Sequence, residues 1–236
     1  MITNPEETVV LKKIFASLVL LVSMALFFMA LPRVRAAFNY FPVDSALDRI
    51  NHSESLDDEK LTQLIETAQA SISLYDNPHY WEGLSVLFLY QAQKQGLSQE
   101  AGVKSIKLAK NSLEQALSSS PANAYLWYRL SVTHVLLRSP PEQTIKLLIM
   151  SIMTGPNEPE ILIQRLNLCL LFFASFKEDD IDLLRSQTLT AWTLSPTDFL
   201  STVASDEQRI SIIRQLLADN HVAVLDEMEE ALEKNH

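Results

Sequence analysis

The feature that most constrains this chain is the stretch KKIFASLVLLVSMALFFMALPRVRAA, residues 12–37. Ile14 to Leu31 is a run of 18 residues without a charge, and Ser17 and Ser23 carry its only hydroxyls. At about 1.5 Å per helical residue the run spans roughly 27 Å, close to the ~30 Å hydrocarbon core of a bilayer. Lys12 and Lys13 can snorkel to the headgroups on one side, and Arg33 and Arg35 mark the other interface. Pro32 is expected to end the helix. Val34-Arg35-Ala36 before Ala37 loosely fits a cleavage pattern, but the apolar region of a signal peptide runs about 7–15 residues. A buried core helix would need an apolar partner on every face, and no other segment is comparably apolar. Length therefore decides for an uncleaved transmembrane helix over residues 14–32, with the lipid bilayer as its partner.

Orientation is nearly balanced, because the two lysines before the run match the two arginines after it. The free amino terminus tips the balance towards a short cytoplasmic tail, residues 1–13, with the rest of the chain outside.

The chain has 236 residues and a formal net charge of −10. Without the anchor about 200 residues remain, enough for one domain or a short repeat array. The acidic balance argues against nucleic acid, which requires clustered Lys and Arg. Cys169, the only cysteine, lies in the apolar run LNLCLLFF and reads as packing. Only four glycines occur, and no Asn-Gly or Asp-Gly turn. The fold class expected is all-α.

Residues 33–56 read as a tether with a short helix near Ser45–Ile50. From Asp57 a helical period takes over: Leu61, Leu64, Ile65, Ala68, Ile72 and Tyr75 form one apolar face. Asn77-Pro78 opens the next helix and Gly96 stops it. Ser98 is expected to cap a third helix that Pro121 ends. Further helices are expected over about 125–138, 141–154 and 159–175. The acids Glu178, Asp179 and Asp180 begin another by complementing its dipole, and are not read as a metal site. Ser205 with Gln208 fits a capping box, and an acidic helix closes the chain.

Helix pairs that end in proline suggest an internal period. Trp81, Leu84, Ser85 and Phe88, followed by Ala109, Leu113, Ala116 and Pro121, resemble a tetratricopeptide unit with about twelve extra residues between its halves. Trp127, Leu130, Ser131 and His134, then Thr144, Leu148, Ser151 and Pro156, resemble a second. A third, without the aromatic signature, runs from Leu162 through Leu184 and Ala191 to Pro196. The expected architecture is therefore an antiparallel helix-pair solenoid over residues 57–196, closed by capping helices over 197–236. Trp81 and Trp127 read as core. By the same resemblance His79 and Glu82, and Tyr125 and Tyr128, face the open groove and are the candidate binding residues.

A closer resemblance rests on two motifs. Leu117, Pro121, Asn123, Ala124, Trp127 and Leu130 form the first. Ser151, Met153, Thr154, Gly155, Pro156, Glu158, Pro159 and Glu160, with Gln164, Arg165 and Leu166 following, form the second. Behind an anchor, this order is similar to the VpsP-type proteins of bacterial exopolysaccharide gene clusters, over most of residues 80–200. The resemblance implies a membrane-anchored accessory protein of polysaccharide biosynthesis or export, single-pass in a bacterial inner membrane with its carboxy-terminal domain in the periplasm, without assigned catalytic residues and with protein partners in that machinery.

No catalytic motif is readable. No two of the five histidines have zinc-ligand spacing on one helix, and there is no HExxH, GxSxG or P-loop. His79-Tyr80-Trp81 is the most tempting cluster and reads as structural. The expectation is a non-enzyme without metal or cofactor; the alternative is a protein that binds or modifies carbohydrate in the envelope.

Overall fold

The computed structural model describes residues 5–204, 206–219 and 221–234. Among these the chain is all-α, with eleven α-helices, two short 3-10 turns and no strand. It divides into two compact units, residues 1–87 and 88–236.

The first unit contains α1 (Pro5–Asn51), α2 (Asp58–Leu74) and the start of α3 (Pro78–Gln95). Among the described residues α1 is the one helix long and apolar enough to cross a membrane. It does not stop at Pro32. It runs through Pro32 and Pro42 to Asn51, so most of the segment expected to be a tether is helix. Each proline removes a backbone donor, a cost that packing here outweighs. Ala36, Tyr40, Val43 and Ala46 recur at helical spacing and are buried. Asn39 donates from Nδ2 to Ser71 Oγ at 2.8 Å, and the Arg33 guanidinium lies 5.0 Å from the Tyr75 ring centroid. An early residue of α1's outer half thus meets the end of α2, which makes the two an antiparallel hairpin. Asp57 caps α2, accepting from Lys60 N at 2.7 Å, and Leu61, Leu64, Ile65 and Ala68 form its buried face.

The second unit holds the rest of α3, then α4 (Glu100–Ser119), α5 (Ala124–Leu136), α6 (Pro141–Thr154), α7 (Pro159–Leu171), α8 (Ile181–Leu194), α9 (Pro196–Val203), α10 (Glu207–Leu217) and α11 (Val222–Lys234). Helices α5 and α6 pair antiparallel: Ser151 Oγ, near the end of α6, donates to the Ala124 carbonyl at the start of α5, 2.8 Å away. Helices α4, α6 and α8 end alike. Ser120, Gly155 and Ser195 have φ from −136° to −163° and ψ from 59° to 79°, and each returns its N–H to the carbonyl four residues back. Pro121, Pro156 and Pro196 follow, so the prolines are in phase because three helices stop by one geometry. Upstream of each proline the paired positions are buried: Ala109, Leu113 and Ala116; Thr144, Leu148 and Ser151; Leu184, Thr188 and Ala191. In the first unit α2 ends similarly, with Tyr75 N–H on Ser71 O, and Asp76 stands where the others have proline.

The tryptophans also repeat a device. Trp81 Nε1 donates to Asp76 Oδ1 at 2.6 Å, and Trp127 Nε1 donates to Pro121 O at 2.8 Å. Each indole, only partly buried, reaches back to the turn before its own helix. That turn also supplies an asparagine cap: Asn77 Oδ1 accepts from His79 N, and Asn123 Oδ1 from Tyr125 N and Leu126 N. Expected as core, they instead tie each helix to its lead-in.

Other boundaries shift. Gln99, not Ser98, precedes α4. Helix α7 stops at Leu171 and passes into 3-10 turns, one of them Glu178–Asp180, before α8. Ser205 lies outside the described residues, and the cap of α10 is Asp206, whose Oδ1 accepts from Gln208 N and Arg209 N. Glu178, Asp179 and Asp180 form the second of the 3-10 turns, and Asp180 immediately precedes α8 without a side-chain cap hydrogen bond.

Candidate functional site

The four residues expected on a groove fall two to each unit, His79 and Glu82 in the first and Tyr125 and Tyr128 in the second. His79 sits in the first turn of α3, exposed, and its Nε2 lies 2.9 Å from Asp44 Oδ1 on α1. Its ring meets Tyr40 edge-on at 5.5 Å, and Tyr40 lies 4.3 Å from Tyr80. The sequence cluster His79-Tyr80-Trp81 is therefore split: His79 and Tyr80 clamp α3 to α1, and Trp81 turns to Asp76. Glu82, partly exposed, lies one turn on from His79, and its carbonyl accepts the Ser85 hydroxyl at 2.6 Å.

In the second unit Tyr125 and Tyr128 differ. Tyr128 leans on the apolar core that α6 to α11 share, and burial raises its phenol above the ordinary value. Tyr125 is freer. Arg129, one turn on, places its guanidinium 5.2 Å from the Tyr125 ring centroid. The tyrosine borders an open crevice of about 610 Å³, walled by the turn between α4 and α5 and by Glu158. A phenol ring, a carboxylate and the Asn123 amide thus surround one space, a mixed surface suited to a polar chain segment. Asn123 and Glu158 stand in the two resemblance motifs but carried no signal as site residues, because the turns that bring them together have no sequence period.

The second motif gathers elsewhere as well. Arg165 on α7 is fully buried, and its Nη1 donates to Ser151 O and Gly155 O, both at 2.9 Å. Its Nη2 donates to Pro156 O at 3.0 Å, which also accepts from Gln187 Nε2 on α8 at 3.0 Å. Gly155 fits because it has no side chain: a Cβ there would come within 2.7 Å of Ala124 Cβ and of Glu158 Cγ. Beside Arg165, burial pushes the Cys169 thiol up to about 12, so it remains protonated packing.

His134 takes the place in α5 that an aromatic holds in the repeat pattern. Partial burial is the main cause of its lowered pKa, with Lys110 adding to it and Glu114 opposing. The folded state therefore binds a proton less readily than the unfolded chain. Stability is expected to be fully present above the ordinary value of 6.5 and to be lost as pH falls below it. Urea midpoints in detergent across that window test this. His134→Gln should flatten the part of the profile that belongs to this residue.

No family model, no curated protein and no solved structure matches the chain.

Proposed function

We propose that this chain is a membrane-anchored, non-catalytic accessory protein of bacterial exopolysaccharide biosynthesis or export, in the inner membrane with its helical domain in the periplasm. It binds a protein partner of that machinery on its helical hairpins. The observation that supports this reading best is the continuity of α1, one unbroken helix from the lipid-compatible run into a packed hairpin. A helix–helix repeat tethered to a bilayer suits a docking role: confinement raises the effective concentration of membrane neighbours, and modest affinity suffices. The Tyr125 crevice is the place at which an extended segment of the partner is expected to lie.

Affinity purification of the full chain in mild detergent is expected to bring down polymerase or export proteins, and deletion to reduce polysaccharide output. No partner together with intact output would end the proposal. A reporter active only outside the membrane, fused at the carboxy terminus, checks the orientation.

The same crevice supports a second reading, carbohydrate binding, because an aromatic ring beside a carboxylate and an amide also suits a sugar. Calorimetry with polymer fragments separates the two. Heat that disappears in Tyr125→Ala supports the sugar; no heat supports the protein partner. Tyr125 is the residue to change, since Tyr128→Ala would also disturb the core.

A further inference from the structure

Beyond Leu31, α1 carries a second apolar face. Val34, Phe38 and Phe41 follow Leu31 at spacings of three and four, and the two phenylalanines are 79% and 68% exposed. At 3.6 residues per turn these four side chains share one side of the helix, roughly opposite Ala36, Tyr40 and Val43, which are buried. The stripe is in line with Leu20, Met24 and Phe27 of the membrane run, and α1 is continuous between them. Two neighbouring phenylalanines on the outer side of a packed hairpin mark a surface that meets something apolar.

Charge and geometry favour lipid as that partner. Arg35 flanks the stripe, Arg33 turns towards α2 with its guanidinium over the Tyr75 ring, and no acid occurs between Thr8 and Val43. An open groove of about 800 Å³ runs beside Phe38, bordered by Arg35 and Asn39 on α1 and by Ala70, Ser73 and Leu74 on α2. Leu74, 41% exposed, extends the apolar surface onto the second helix. Phe38 lies about 10 Å, and Phe41 about 15 Å, along the axis beyond Leu31. The headgroup layer adds about 5–8 Å on each side of the hydrocarbon, and transmembrane helices tilt by about 20° on average and by up to about 40°. A tilt towards the stripe near the upper end of that range brings both rings into the headgroup layer, with Phe38 nearer the acyl chains. The Arg35 guanidinium then stands at the level of the lipid phosphates.

We propose that the outer half of the first hairpin is seated in the phospholipid interface, with Val34, Phe38 and Phe41 in the boundary layer and Arg35 on headgroup phosphates. The hairpin is then held against the bilayer surface and is not merely strung from it. This rests on the membrane-spanning reading of α1, and the test separates the two.

The full chain is reconstituted in phosphatidylcholine–phosphatidylglycerol vesicles that contain brominated lipid. An environment-sensitive fluorophore is attached at Phe38→Cys, Phe41→Cys, Met24→Cys or Gln63→Cys, with buried Cys169 left in place. Quenching is expected at positions 24, 38 and 41 and absent at 63. Phe38→Glu in the Phe41→Cys background is expected to abolish the quenching at 41. Quenching at 24 with a water-like signal at 38 and 41 would overturn the interfacial seat and leave the anchor standing. Blue-shifted emission at 38 without lipid quenching would overturn it in favour of a second copy or another protein. A water-like signal at 24 as well would remove the anchor and this proposal together.

Discussion

Arg165→Ala is expected to destabilise the second unit by about 3–5 kcal/mol, the usual range when a buried charged hydrogen-bonding group is deleted and its partners are left behind. The arginine has no solvent exposure, and the groups it serves are the Ser151, Gly155 and Pro156 carbonyls and the Ser151 hydroxyl. Those carbonyls lie at the negative end of the α6 dipole: Ser151 O also accepts from Gly155 N and Pro156 O from Gln187 Nε2, whereas Gly155 O and Pro156 O lie beyond the last helical donors. A cation is therefore favourable there without a carboxylate. Burial draws its pKa down to about 10, so it is still charged at neutral pH. Replacing a buried ion pair by apolar groups is often harmless, but that relief depends on removing both partners. Here the acceptors are main chain and cannot be removed. Arg165→Met, which restores much of the volume, is thus expected to recover only part of the loss. Arg165→Lys should also fall short, since one ammonium cannot reach across acceptors that two guanidinium nitrogens divide. Urea unfolding of the full chain in mild detergent, followed by circular dichroism, measures all three. A midpoint for Arg165→Ala within about 1 kcal/mol of the parent would show that water replaces the guanidinium without cost.

The same residue shows where sequence reasoning stops. Arg165 is conspicuous as a charge inside ILIQRLNLCLLFF, yet its partners are carbonyls, which every residue has. Only the folded turn after α6 distinguishes them. Features with a local cause were legible: the all-α class, the helices between the prolines, and the cap at Asn77. The prolines were readable as a period because each follows a helix that stops by the same backbone geometry. The outer half of α1 was not. Pro32 and Pro42 are strong local signals against a helix, whereas the stripe Ala36, Tyr40, Val43 and Ala46 becomes evidence for one only once α2 lies against it. Of the groove residues, Tyr125 borders an open space, Tyr128 leans into the core and His79 is paired with Asp44. A repeat pattern assigns a side to each residue; neighbours outside the pattern decide what that side touches.

The largest effect expected in the first unit comes from Gly83→Ala. A methyl in a helix interior normally gains up to about 1 kcal/mol over glycine. At position 83 it would overlap the Tyr40 hydroxyl and lie 2.8 Å from Leu47 Cδ1. Tyr40 cannot easily yield, because it is fully buried between Tyr80 and the His79 ring. A net loss of about 1–3 kcal/mol is expected, the range for overpacking. The cause can be isolated, since the obstructing atom is itself dispensable. The Tyr40 hydroxyl is buried without a hydrogen-bond partner, so Tyr40→Phe is expected to be neutral or to stabilise slightly. In the double variant Gly83→Ala with Tyr40→Phe, the nearest clash is gone and only the Leu47 and ring contacts remain. The double variant should therefore be more stable than the sum of the two single changes by about 1–2 kcal/mol, within the range measured for touching residues. Additive losses would mean that Leu47, not the tyrosine, sets the limit on how closely α3 approaches α1. A Gly83→Ala protein as stable as the parent would mean that the two helices separate freely, and the packing that extends α1 beyond Pro32 would need another explanation.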